Sequence, residues 1–290
     1  MAIGKLGVVG AGMMGSEIAL IFALAGKQVL LNDTKADALQ RAMAKLEGVL
    51  DSGIGRGFWA EEDKPRALAN ITTTTDLGDF SDRDMVIEAV FEDVDVKGQV
   101  FKTLDPILQA DCVIASNTSS ISITVLSASL SDARQENFLG LHFFSPVHRM
   151  KLVEVISAMD SGQEALDLAT EACVEAGKIA IQVKDVVGFA VNRMLFALWN
   201  EALRLVEEGV CTPEDIDIGC KLGLGHPVGP FELMDLTSNT LNLQVAGILT
   251  GAYGDRFHPR PMLKQIVAAG RAGRKSGRGW YRYDENGRRV

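Results

Sequence analysis

Two sets of residues in this chain have types and spacing that suit chemistry. The first is Gly10-Ala11-Gly12-Met13-Met14-Gly15, which matches G-x-G-x-x-G. It directly follows the apolar run 6–9 and leads into helical spacing over 18–25. Asp33 then closes a second apolar run, 29–31, at 33 − 15 = 18 residues after the last glycine. In that context each position has a task. Gly10 permits a tight turn, Gly12 lets a pyrophosphate approach the backbone, and Gly15 lets helix and strand pack closely. The helix N-terminus offers unpaired N–H groups and a partial positive charge to the pyrophosphate. Asp33 accepts hydrogen bonds from ribose hydroxyls and repels a 2′-phosphate, which favours NAD over NADP. The contacts expected with the cofactor are thus Gly10, Gly12, Met13, Met14, Gly15 and Asp33. A glycine-rich turn that binds something else is the plain alternative; strand, glycines, helix and acidic residue in register argue against it.

The second set is His142, at the end of the apolar run 138–141, and Glu154, set between Val153 and Val155. Ligands bind at the carboxyl ends of strands in open parallel sheets, which is where His142 would fall. A carboxylate in so apolar a segment as that of Glu154 is costly unless paired. A hydrogen-bonded core histidine and a salt bridge at a strand end are the bland readings.

A larger frame has to position these residues. In the first half, apolar runs at 6–9, 29–31, 85–87, 113–115 and 138–141 alternate with helical patterns such as 36–50. That alternation predicts an α/β domain with a mostly parallel sheet and helices on both faces. Runs 152–156 and 179–183, flanking helical spacing over 164–176, would extend the same sheet. Beyond Asp185 the texture changes. Helical spacing covers 191–206, 233–249 and 261–269, and Thr212-Pro213-Glu214-Asp215 reads as an N-cap with proline at the first helical position. The expected organisation is a Rossmann domain over 1–185 and an all-helical domain over 186–290, the latter closing over substrate and pairing in a dimer.

Composition narrows the function. A net charge of −9 argues against a nucleic-acid binder, because phosphate contact depends on clustered Lys and Arg. No apolar run reaches the ~18 residues of a membrane span, and the glycine-rich start does not read as a signal peptide. Cys112, Cys173, Cys211 and Cys220 lack metal or redox spacing, and His148, His226 and His258 lack metal-ligand spacing. The expectation is a metal-free cytoplasmic enzyme.

Three stretches, Asn117-Thr118-Ser119-Ser120, His142-Phe143-Phe144-Ser145-Pro146 and Lys151-Leu152-Val153-Glu154-Val155, resemble the L-3-hydroxyacyl-CoA dehydrogenase family. The resemblance continues through Gly188-Phe189, Val191-Asn192-Arg193 and His226-Pro227-Val228-Gly229-Pro230. It closes with Gly273-Arg274-Lys275-Ser276-Gly277-Arg278-Gly279-Trp280-Tyr281, so it spans nearly the whole chain in the family's order. It implies NAD held on a Rossmann domain, acyl-CoA as substrate, and reversible oxidation of a 3-hydroxyl to a ketone, with short chains of the 3-hydroxybutyryl-CoA kind favoured. By the matching motifs the catalytic pair falls on His142 and Glu154. Ser119 and Asn192 handle the substrate oxygens, and further cofactor contacts fall on Glu92, Lys97, Ser119, Ser145 and Lys275. The chemistry is coherent: histidine is the natural base near neutral pH, and a carboxylate holds its tautomer and stabilises the imidazolium. Ser145 departs from the family's usual Asn, and Val187 from a common proline. Arg56, flanked by Gly55 and Gly57, is a candidate for the CoA phosphates, since a guanidinium fork suits phosphate; an exposed loop arginine is the alternative. Two other functions stay open at this point. One is a dehydrogenase of a free hydroxy acid or sugar acid, and the other is a cofactor-binding structural protein without turnover.

Overall fold

A computed structural model describes residues 3–290. The chain divides into two compact units, one ending at Val186 and the other spanning Val187–Val290.

The first unit alternates strand and helix. Its opening half runs β1 (Lys5–Val9), α1 (Met13–Leu24), β2 (Gln28–Asn32), α2 (Ala36–Ile54), α3 (Asp63–Ala69), β3 (Ile71–Thr74) and β4 (Met85–Glu88). Its second half runs α4 (Val94–Leu104), β5 (Val113–Ser116), α5 (Ile123–Ser127), α6 (Asp132–Gln135), β6 (Phe138–Phe143), β7 (Leu152–Ser157), α7 (Gln163–Glu175) and β8 (Ile179–Lys184). The eight strands form one sheet in the order β3-β2-β1-β4-β5-β6-β7-β8. Every neighbouring pair is parallel except β6 with β7. A sheet covered on both faces needs strands that are apolar on both sides. Leu6, Val8, Ile87, Ala115, Leu139 and Leu141 are buried on one face in a cluster with Ile18 and Phe22 of α1, and the alternate positions Val86, Ile114 and Phe138 are buried on the other. The order reverses between β1 and β4, which opens a crevice at the carboxyl ends of the strands.

Strand β3 has no counterpart in the sequence reading. Ile71-Thr72-Thr73-Thr74 buries only Ile71. Its other three residues are threonines, so it carries no apolar run to detect.

The second unit contains α8 (Val191–Glu207), α9 (Pro213–Gly223), α10 (Pro230–Thr237), α11 (Asn239–Tyr253) and α12 (Pro261–Ala268). Thr212 is the expected N-cap of α9, with Pro213 opening the helix, and Asp215 completes a capping box with it. The single helix expected over 233–249 is instead two, broken at Ser238, whose φ is 101°. The cause is local competition for backbone groups. Thr237 Oγ1 donates to the carbonyls of Leu233 and Met234, Asn242 Nδ2 donates to Met234 O, and the Asn239 N–H leaves for Ala272 O. After α12 the chain is not helical beyond the short turn Arg274–Ser276, and isolated bridges join Gly273 to Arg278 and Tyr283 to Arg289. Among the described residues no helix is long and apolar enough to cross a membrane.

Candidate active site

The glycine loop supplies the first part of the site. Gly10 has φ +103°, and a Cβ there would lie 2.7 Å from Ala89 O. At Gly15 a Cβ would lie 1.9 Å from Gly10 O, whereas at Gly12 it would meet nothing within 4 Å. The outer two glycines are thus demanded by backbone packing and the middle one by open space, the division of labour a pyrophosphate cradle needs. Helix α1 has no side-chain cap and no acidic residue in its first turn, so its positive end is available to an anion. Asp33, next to the end of β2, accepts from the Ala11 N–H at 3.0 Å and from the Lys35 N–H at 3.1 Å. It helps line an open pocket of about 320 Å³ with Ala11, Gly12, Met13, Ser16, Ala38, Arg41, Ala42 and Lys45. These residues fit the pyrophosphate and adenosine ribose of a dinucleotide; Met13 lines the pocket, and Met14 packs partly buried against the core.

A charged cluster sits at the ends of β4 and β5. Parallel register sets Glu88 beside Ser116, and Glu88 Oε2 accepts from the Ser116 hydroxyl at 2.6 Å. Glu88 Oε1 accepts from Lys97 Nζ at 2.7 Å and from the Val90 N–H at 2.6 Å. Both Glu88 and Lys97 are essentially inaccessible to solvent. Lys97 also lies 3.3 Å from Glu92 Oε2. Glu92 Oε1 in turn accepts from the Thr118 hydroxyl, the Ser119 and Ser120 N–H groups and the Ser120 hydroxyl, at 2.5, 2.9, 3.1 and 3.1 Å. Burial pushes Glu92 up, but the Lys97 ammonium and the hydrogen bonds from Thr118 and Ser119 outweigh it and hold the carboxyl below its usual range. Glu92, Lys97 and Ser119 are therefore brought together. Lys97 pairs with two carboxylates, Glu88 and Glu92.

His142 and Glu154 meet because β6 and β7 run antiparallel in a register that pairs them directly. The side chains of cross-strand partners project from the same face. Nδ1 of His142 lies 2.8 Å from Oε2 of Glu154, with both residues buried. A carboxylate can only accept, so the proton of the neutral ring sits on Nδ1 and the lone pair on Nε2. The Phe144 ring stacks at a tilt 4.5 Å from the imidazole. Asn117 Oδ1 accepts from the Phe143 N–H at 3.0 Å, tying the end of β5 to the end of β6 beside His142.

The remaining expected residues, and Ser119 itself, lie in turns and helix ends. Ser119 and Ser145 are exposed in the turns after β5 and β6, and Arg56 is exposed just past α2. In the second unit, Asn192 is in the opening turn of α8, and Lys275 is exposed in the turn Arg274–Ser276. The glycines around Lys275 serve packing: a Cβ on Gly279 would lie 1.9 Å from Asp235 Oδ1, and on Gly273 2.4 Å from Asp235 O. Asp235 accepts from the N–H groups of Trp280 and Tyr281 and from the Tyr283 hydroxyl, which fastens this segment to α10. Burial pushes the Cys112 and Cys173 thiols up to about 12, so neither offers a nucleophile. Sequence reasoning missed Glu88, Asn117 and Glu17. Each left a trace: a polar residue at the edge of, or inside, an apolar run.

Comparison with known proteins shows the family. Residues 5–186 match the model described as "3-hydroxyacyl-CoA dehydrogenase, NAD binding domain" and residues 188–283 its "C-terminal domain". The chain is 40% identical over 283 residues to a probable 3-hydroxybutyryl-CoA dehydrogenase of Deinococcus radiodurans, covering 96% of this chain and 100% of the relative. It is 37% identical to a 3-hydroxybutyryl-CoA dehydrogenase of Clostridioides difficile, covering 97% and 100%. Among solved structures, the (S)-3-hydroxybutyryl-CoA dehydrogenase from Ralstonia eutropha superposes with a TM-score of 0.94 at 40% identity, covering 98% of this chain and 100% of that one. With a cradle for NAD, a buried histidine–carboxylate pair and matches along both units, this chain belongs to the 3-hydroxyacyl-CoA dehydrogenase family and is an NAD-dependent oxidoreductase.

Proposed function

We propose that the chain oxidises short-chain L-3-hydroxyacyl-CoA, with 3-hydroxybutyryl-CoA as the favoured substrate, reversibly to the 3-ketoacyl-CoA. The observation that carries the reading is the buried 2.8 Å contact between His142 Nδ1 and Glu154 Oε2 at the carboxyl edge of the sheet. NAD supplies the hydride acceptor when bound. His142 takes the hydroxyl proton at Nε2 as the carbonyl forms, and Glu154 stabilises the resulting imidazolium without taking the proton itself. In the reverse direction the same atom returns the proton. Glu92 and Lys97 hold the 118–120 turn so that the Ser119 hydroxyl meets the substrate oxygen and the nicotinamide end, and Asn192 takes the same substrate role from α8. Ser145 contacts the nicotinamide end, Lys275 the cofactor, and Arg56 the CoA phosphates. In the same reading the enzyme works as a cytoplasmic homodimer, for which the four free cysteines and the exposed Leu241 and Ile248 of α11 offer support.

The test is NADH consumption with acetoacetyl-CoA, free acetoacetate and longer 3-ketoacyl-CoAs in parallel. The proposal expects the highest kcat/KM with acetoacetyl-CoA. Equal rates with free acetoacetate would remove CoA from the recognition and turn the reading toward a free hydroxy acid.

A further inference from the structure

Glu17 is a carboxylate in an otherwise apolar helix. It stands two residues after Gly15, among the buried Ile18, Ala19 and Leu20, and is itself 4% exposed. Burying a charge there is costly unless the partners are good. Two of its partners belong to the turn after β6 and the third, Lys45, to α2. Oε2 accepts from the Val147 N–H at 2.7 Å and lies 3.0 Å from His148 Nδ1, while Oε1 lies 3.3 Å from Lys45 Nζ. The turn is gripped from its other side by Lys178, also buried, whose ammonium donates to the carbonyls of Val147 and Met150. Val147 thus gives its N–H to a carboxylate and its C=O to an ammonium, with its side chain 1% exposed. Burial pushes Glu17 up, but hydrogen bonds and charge from His148 and Lys45 outweigh it and keep the group below its usual range, so it is ionised at neutral pH. Helix α1 therefore does two things. Its N-terminus faces the pyrophosphate site, and its second turn fixes the turn that carries Ser145.

We infer that Glu17 is a positioning residue for the nicotinamide end of the cofactor, acting through Val147 and His148 to set the place of Ser145. The inference rests on the proposed role of Ser145 above. Fixing a reacting group to within a fraction of an ångström affects turnover more than substrate affinity, because misplacement is felt at the transition state. A packing role alone would lower stability and leave turnover per folded molecule unchanged.

The experiment compares Glu17→Ala, Glu17→Gln and wild type, well below each melting temperature, by acetoacetyl-CoA reduction and by NADH fluorescence in the binary complex. Glu17→Ala should lower kcat about 10- to 100-fold, the loss typical of a ~1 Å misplacement. The KM for acetoacetyl-CoA should stay within about twofold, the pattern of a lost transition-state interaction rather than lost binding. Glu17→Gln keeps an oxygen that accepts from the Val147 N–H and should recover most of the turnover. NADH bound to Glu17→Ala should emit differently from NADH on the wild type. Should Glu17→Ala not fold, His148→Ala asks the same question by removing one of the contacts that join Glu17 to this turn, with a fall of a few-fold in kcat expected. Unchanged kcat in the folded variants, or equal losses in Ala and Gln, overturns the inference. A wild type inactive on acyl-CoA would sink the proposed substrate; the NADH emission then decides alone, an unaltered spectrum in Glu17→Ala counting against Glu17 and an altered one for it.

Discussion

Two buried carboxylate clusters lie along the carboxyl edge of the sheet, one joining a strand to a helix and the other two strands, and they differ in what their cation can do. At β4–β5 the partner of Glu88 is Lys97, whose ammonium is 1% exposed and 2.7 Å away. At β6–β7 the partner of Glu154 is His142, 5% exposed and 2.8 Å away. Lys97 is held between the carboxylates of Glu88 and Glu92, so the first cluster is a fixed ion pair that organises the turn Thr118–Ser119–Ser120 through Glu92. An imidazole can take a proton from a reacting group and return it. The second pair is therefore a hydrogen bond that becomes an ion pair when the ring takes a proton, and this change stabilises the charged form during reaction. Similar burial makes one cluster rigid and the other responsive.

Breaking the two pairs should show that difference first in stability. Lys97→Met leaves Glu88 buried beside Ser116 with no cation, and removing one partner of a buried pair costs about 3–5 kcal/mol. Glu154→Gln leaves a neutral amide against a neutral imidazole, so its cost should be about 1–3 kcal/mol, that of an imperfect buried hydrogen bond. Urea unfolding of the two variants measures both. Equal losses would mean that the two clusters are the same kind of structure.

A third carboxylate at this edge, Asp33, sharpens the contrast because it faces an open pocket. Asp33→Ala should weaken NAD binding about 10- to 100-fold, the worth of one hydrogen bond to a charged group. It should also narrow the preference for NAD over NADP, since Arg41 and Lys45 line the same pocket and would attract a 2′-phosphate. Competition of NAD and NADP in kcat/KM reads this out, and a wild type that prefers NADP contradicts it.

The smallest effect belongs to Glu92, which is partly exposed and so screened by solvent. Its folded-state carboxyl lies below its usual range. A depressed acid contributes stability above its unfolded value, near ~4.3, and that contribution is lost as pH falls through the lower folded value. The melting advantage of wild type over Glu92→Gln should hold from pH 5 to 7 and fade only below about pH 4. An advantage that grows as pH falls would have the wrong sign.

What was legible in the sequence followed how each group is held. The glycine loop and Asp33 lie within one short βα unit, so spacing alone describes them. His142 and Glu154 are 12 residues apart on strands whose apolar runs were visible, and the family resemblance gave them roles that burial alone would not. Glu88 ends a buried strand, and its meaning depends on Lys97, Ser116 and a register that no local pattern encodes. The break at Ser238 was hidden for the opposite reason: apolar spacing continues across it while Thr237 and Asn242 take the backbone groups. Glu17 drew no reading because the partners that give it a role come from far along the chain, Val147 at a separation of 130 residues and His148 at 131.

The central claim is that His142 and Glu154 act as one acid–base unit, and a double-mutant cycle in kcat tests it most directly. His142→Gln should leave NADH binding near wild type and lower turnover about 10²- to 10⁴-fold, the loss typical of a missing general base. Glu154→Gln should also lower turnover while folding holds. In the double variant the losses should not multiply, because a residue that works only through its partner has nothing left to lose. Losses that multiply, or an active His142→Gln enzyme, would contradict the mechanism.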